Sequence, residues 1–259
     1  MVDAVVFSKN RPAQLDLFLK TAAPYLDIFN LKVIYLHTEK EYELGYSLLK
    51  RLWSNVFFEK ETDLKAQTLS HLKNHFCFFT DDSFFYREFN PTNFLNTIPF
   101  LEGACFSLRL GFNTWDNHGY PSRSPALTEG FGQEEDIIWW NPKEYGYHEC
   151  YGYSMSVDGH VYSSSLLDNL HNMDFDLPNK LEEELKILKD SIDRIYSFEN
   201  SVLVINPINR VQDFRKNWCG EKFGISTHDL NKNFLKGKRL SFKNIEPTGT
   251  HFESEVCFV

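Results

Sequence analysis

The chain has 259 residues, 42% of them hydrophobic and 24% charged, with a net charge of −9. That length suits one α/β domain with a sizeable core, and the composition is that of an ordinary globular protein. Without any basic stretch to offset the acidity, a nucleic-acid backbone is excluded as the main partner. The five cysteines, Cys77, Cys105, Cys150, Cys219 and Cys257, are scattered and unpaired in spacing. This argues against a disulfide framework and against a structural zinc site. The first residues do not read as a signal peptide, and no run approaches the roughly 20 apolar residues of a membrane span. The expectation is a cytoplasmic protein with no transmembrane segment, which leaves room for peripheral membrane contact.

The first hundred residues alternate strand and helix. Ala4 to Phe7 is a short apolar strand, and Ser8-Lys9-Asn10-Arg11-Pro12 is a polar loop. Gln14 to Tyr25 carries Leu15, Phe18, Leu19 and Ala22 at helical spacing. Leu31 to Leu36 is a second strand, Glu41 to Trp53 a helix, Val56 to Phe58 a third strand and Leu64 to Leu72 a further helix. Phe76 to Phe79 reads as a buried fourth strand that stops at Asp81 and Asp82. Such alternation predicts a mostly parallel sheet with helices on both faces.

After Pro99 the pattern changes. Gly103 to Leu110 reads as a strand, Phe112 to Gln133 as a long loop and Ile137 to Trp140 as a short aromatic strand. An irregular Tyr-rich stretch, Tyr145 to Ser156, leads to Val157-Asp158-Gly159-His160, which is expected to open a helix running to about Leu170. Asn179 to Arg194 is an amphipathic helix with Asn179 as its cap, and Val202 to Ile205 is a late strand. Ser226 and Asp229 mark the start of a helix that stops at Gly237, and the tail from Phe242 is expected to be irregular. Residues 1–100 read as one half of a single domain, and residues 101–259 as its other half with a C-terminal tail.

Asp81 and Asp82 carry the strongest chemical signal. In open α/β sheets the ligand crevice lies at the carboxyl ends of the strands. Two carboxylates there make a hard-oxygen site for a divalent cation that bridges phosphates. The plainer reading is a turn, in which Asp is common. The first loop has no glycine, which weighs against a dinucleotide fingerprint or a P-loop. It offers donors instead, Lys9, Asn10 and Arg11, each of which alone would read as solvated surface.

A strand ending in Ser-x-Asn-Arg-Pro, a helix beginning Gln-Leu, and an apolar strand some seventy residues on that ends in Thr80-Asp81-Asp82 resemble the GT-A-fold glycosyltransferases. Ser107-Leu-Arg-Leu-Gly111, Ser156-Val-Asp-Gly-His-Val-Tyr162, Pro178-Asn-Lys-Leu-Glu182 and a C-terminal His followed by Glu are similar to a bacterial and viral branch of that group. The chain departs from the family in having Asp81-Asp82-Ser83 where a full Asp-x-Asp is usual.

The resemblance implies a GT-A-like α/β fold and a nucleotide-sugar donor. Ser8, Asn10, Arg11, Lys65 and Asp81 would bind that donor. Mn²⁺ or Mg²⁺ would sit on Asp82 and His251, His251 resting on the resemblance alone. Asp158 would be the base that deprotonates a glycan or other hydroxyl acceptor, or else a helix cap. His160, Trp139 and Trp140 would face the acceptor, against the plainer reading of a buried histidine and core tryptophans. Trp115 is a further stacking candidate. The acidic run Glu134, Glu135 and Asp136 is a solvated turn or an alternative base. Inverting transfer is the expected reaction. A non-catalytic carbohydrate-binding relative and a sugar nucleotidyltransferase are the alternatives.

Overall fold

The computed structural model describes residues 1–115, 130–147, 149–212, 222–252 and 255–259. Cys219, Glu253 and most of the expected loop 112–133 lie outside them. Four parallel strands start the sheet: β1 (Val2–Lys9), β2 (Phe29–Leu36), β3 (Phe57–Lys60) and β4 (Phe76–Thr80). Helices α1 (Pro12–Ala22), α2 (Lys40–Leu52) and α3 (Leu64–His71) connect them, as the alternating pattern predicts. A short strand β5 (Ser83–Phe85) and helix α4 (Pro91–Thr97) follow.

The second half extends the same sheet. Its strands are β6 (Ala104–Ser107), β7 (Phe131–Glu134), β8 (Ile137–Trp140), β9 (His160–Tyr162) and β10 (Arg194–Phe198). The nine strands run β3-β2-β1-β4-β9-β6-β10-β8-β7. The fold is thus α/β with a large, mixed central sheet flanked by helices. Strand β9 is wedged antiparallel between β4 and β6, whereas β6 and β10 pair in parallel. Helices α5 (Leu167–Asn172), α6 (Pro178–Leu185) and α7 (Thr227–Leu235), strand β11 (Leu203–Ile205) and the hairpin of β12 (Leu240–Phe242) with β13 (Val256–Phe258) complete the chain.

Alternation along each strand divides the core between the two faces. Ala4 and Val6 of β1, with Cys77 and Phe79 of β4, pack with α1, α2, α4 and α7. Val5, Phe7, Phe76 and Phe78 pack on the other face with α3, α5 and α6.

Four expectations are corrected. Asp158 does not open a helix. It lies in a bend that leads directly into β9, and the helix begins only at Leu167. Gly159 has a φ of 73°, and its backbone joins the ends of two strands, its N–H donating to the Phe78 carbonyl and its carbonyl accepting from Leu108. A sequence reader sees Gly-His as an odd helix start; the strand entry explains it. Asn179 is not the cap of α6, which starts on Pro178 after an extended Leu177. Pro suits the first helical position because its missing N–H has no partner to lose there. The helix also ends at Leu185, passing into a 3₁₀ turn before β10, so Arg194 belongs to a strand. Finally, the tail holds the β12–β13 hairpin. Among the described residues no helix is long and apolar enough to cross a membrane.

Candidate functional site

Asp81 and Asp82 stand immediately after β4, the fourth of the nine strands, at its carboxyl end. The Asp81 N–H donates to the Phe7 carbonyl of β1, which sets the carboxylates beside the first loop. Both line a narrow crevice with Gln14, Ser83, Asn206 and Leu240.

Asp81 is spent on the interior. Its Oδ2 accepts from Ser8 Oγ (2.8 Å) and the Lys9 N–H (3.0 Å), and its Oδ1 from Arg11 Nη1 (3.0 Å). Behind Ser8 stands the Tyr46 hydroxyl of α2 at 2.7 Å, which also accepts from the Arg11 N–H. Burial and the neighbouring Asp82 push the Asp81 pKa up to about 6, with Arg11 opposing them. The three donors to Asp81 favour the anion against that rise.

Arg11 is turned inward and only 7% exposed. One nitrogen, Nη1, bridges both aspartates, reaching Asp82 Oδ2 at 2.9 Å. Its other nitrogens donate to Asn209, Nε to the side-chain oxygen at 2.9 Å and Nη2 to the carbonyl. Gln14 Nε2 supports the same Asn209 oxygen at 3.1 Å. Removing one member of so buried an ion pair costs about 3–5 kcal/mol, because the other charge is left uncompensated. Arg11 is thus the internal counter-ion of the carboxylate pair.

Asp82 keeps its second oxygen, Oδ1, without a hydrogen bond among the described residues. His251 is delivered toward it by the chain path. The backbone N–H of Asn206 donates to the Asp82 carbonyl, and the preceding Ile205 forms a bridge with His251. The imidazole Nδ1 lies 3.1 Å from Thr250 Oγ1, leaving Nε2 for another partner. Burial and Arg109 push the His251 pKa down to about 4 while Asp82 pulls it up, so the ring is neutral and able to ligate. A hard carboxylate oxygen with a neutral imidazole is a donor set that suits Mn²⁺. Among the described residues no three His, Cys, Asp or Glu side chains converge on one point.

Asp158 comes to the same sheet edge from the far side of β4. Its Oδ1 accepts from Thr80 Oγ1 at 2.7 Å, and Thr80 directly precedes Asp81. Its N–H donates to Ser156 Oγ, which in turn donates to Glu182 of α6 at 3.2 Å. Arg109 Nη1 lies 3.7 Å from Asp158 Oδ2. Burial raises the Asp158 pKa to about 7, with Glu182 and Asp82 adding to the rise and Arg109 resisting it. A carboxylate that changes protonation near neutrality can accept or deliver a proton there.

The other candidates divide. Ser8, Arg11, Asp81, Asp82, Asp158 and His251 come together. Asn10 has its own structural duty, with φ at 56° and its amide joined to Thr38 of the next loop by bonds of 2.8 and 2.9 Å. Lys65 is in the first turn of α3, after β3 at the sheet margin, three strands from β4. His160 is fully buried in β9, its Nδ1 3.1 Å from the Ser154 carbonyl and its Nε2 without a partner among the described residues. Trp140 is a core residue whose Nε1 donates to the Tyr151 carbonyl at 2.8 Å. Trp139 packs on Tyr196, and Trp115 is exposed. Glu134 to Asp136 form the β7–β8 turn, with Asp136 accepting from Asn93.

Thr80, Arg109, Glu182, Asn209 and Tyr46 belong to the site without having been assigned a role from sequence. Arg109 did leave a signal, a lone charge in the apolar run Leu108-Arg-Leu at a strand end. Asn209 left none, since its partner is 198 residues away. The sequence matches no protein-family model and no curated protein.

Proposed function

We propose that this chain is a metal-dependent glycosyltransferase of GT-A-like architecture, moving a sugar from a nucleotide-diphosphate sugar to a hydroxyl acceptor with inversion. The observation that carries the reading is the pairing of two carboxylate stations at one sheet edge. Asp81 and Asp82 stand on one side and Asp158 on the other, joined through Thr80. In this reading Asp82 and His251 hold Mn²⁺ or Mg²⁺. When bound, the cation neutralises charge on the diphosphate. Arg11 and Asp81 keep Asp82 oriented. Asp158 takes the proton of the acceptor hydroxyl on Oδ2, while Thr80 Oγ1 donates to its Oδ1 and fixes the carboxylate plane.

Titration calorimetry with UDP and Mn²⁺, followed by turnover assays across nucleotide-diphosphate sugars, tests the proposal. Asp82→Ala should weaken cation-dependent nucleotide binding by about a hundredfold, the loss that follows when a metal site is disturbed. Unchanged affinity in that variant would exclude the assignment. A second reading, a non-catalytic nucleotide-sugar-binding relative, is favoured by the bridging of both aspartates by Arg11. It requires binding without turnover in the unaltered chain.

A further inference from the structure

Arg109 lies just beyond β6 and is 4% exposed. Its guanidinium is poorly used for so buried a group. The contact to Asp158 is 3.7 Å, beyond hydrogen-bond length, and its Nε is buried with no hydrogen-bond partner among the described residues. The guanidinium carbon stands 5.6 Å over the Tyr153 ring. Arg11, a few strands away, shows the contrast, with each of its side-chain nitrogens satisfied. A guanidinium has five donors, and leaving buried ones unmet is costly. Asp158 meanwhile gives its short bond to Thr80 rather than to Arg109.

A planar fork of donors matches two oxygens of a carboxylate or phosphoryl group. We propose that Arg109 is an oxyanion site, taking a carboxylate or phosphoryl group of a ligand in competition with the Asp158 carboxylate. The inference goes beyond sugar transfer and does not depend on it.

The surrounding charges set how the site works. Asp158 faces Arg109 after β6, Glu182 of α6, Asp82 after β4 and the Cys77 thiol of β4. Arg109 faces His160 of β9, His251, Tyr147 and Tyr153. With Asp158 ionised, an anion at Arg109 would meet its negative charge. Protonation of Asp158 removes that charge and releases Arg109. Anion and proton therefore bind together, and each strengthens the other.

Sulfate and acetate are suitable probes because neither changes charge between pH 6 and pH 8. Calorimetry in EDTA, with no nucleotide present, separates this site from any cation-dependent one. Sulfate or acetate should bind up to about tenfold tighter at pH 6 than at pH 8, the limit set by one coupled proton. Arg109→Gln should abolish that binding, and Arg109→Lys should keep a weakened form of it. Asp158→Asn should bind equally at both pH values, which keeps the test open if Arg109→Gln does not fold. Tighter acetate than sulfate assigns a carboxylate ligand, and the reverse a phosphoryl one. Absence of binding by the unaltered chain, or equal binding by folded Arg109→Gln, would overturn the proposal.

Discussion

Asp81 is buried and Asp158 partly buried, and both are raised above the ordinary range, yet their surroundings fit them for different work. Asp81 has three donors aimed at it, and they favour its anion. Asp158 has one short hydrogen bond and a loose cation, so its proton is exchangeable near neutrality. The distinction gives a sharp expectation for Asp158→Asn. The amide fills the same space and can still accept from Thr80, but it cannot take a proton. Nucleotide binding should persist while turnover falls by about 10²–10⁴, the usual loss for a general base. Steady-state kinetics with calorimetry of the donor checks it. A helix-cap role no longer competes with this reading, because no helix starts at Asp158.

Among the elements, β9 determines the site. It is three residues long, and it seats Asp158 between the ends of β4 and β6. Gly159 permits this entry, since its φ of 73° is a conformation other residues adopt at a cost. A Cβ there would lie 2.3 Å from Leu203 Cδ2 of β11. Gly159→Ala should destabilise the fold by about 1–3 kcal/mol through backbone strain and overpacking. Urea denaturation measures that loss.

The elements also show what sequence alone could convey. Strands β1, β2 and β4 were legible as short apolar runs, and helices α1 to α3 as the segments between them, with apolar residues at helical spacing in α1 and α2. Asp81 and Asp82 were legible because an apolar strand ends on them. The strand β9 was not, since three residues carry no period and Asp-Gly imitates a turn or a cap. Strand β10 was hidden behind a helical pattern that continues through a 3₁₀ turn. The Arg11–Asn209 contact was invisible for another reason. A polar loop residue reads as solvated until a partner from the far end of the chain encloses it.

For the whole molecule, raised carboxyls and lowered imidazoles oppose each other in acid, and Asp158 with His160 is one such pair. His160 has a pKa near 3 in the fold against an ordinary 6.5, so stability is full above 6.5 and falls as pH drops toward 3. Asp158 has a value near 7 against an ordinary 3.8, so the stability it contributes is present at low pH and is lost as pH rises through 7. Between those ordinary values the two effects cancel. His160→Gln should remove one side of the balance. Relative to the unaltered chain, its stability should rise on acidification from pH 6 to pH 4.5 by up to about 1.4 kcal/mol per pH unit, one proton's worth. Urea unfolding across that range measures the difference in slope, which is separate from any uniform loss the substitution causes. A parallel pair of curves would show that His160 does not titrate on unfolding as described.

The place of β9 between β4 and β6 has a consequence for biosynthesis. Strand β4 leaves the ribosome with β1 ready to pair on one side, but its other edge must await residues 160–162. At roughly 5–20 residues per second, the intervening stretch of about 80 residues takes about 4–16 s to translate. Throughout that interval the nascent chain displays an unpaired Phe-rich strand, a template for wrong partners. The side of the sheet that carries Asp81 and Asp82 is therefore also the side most exposed to misassembly during synthesis, and slower translation before β9 should lower the yield of folded protein.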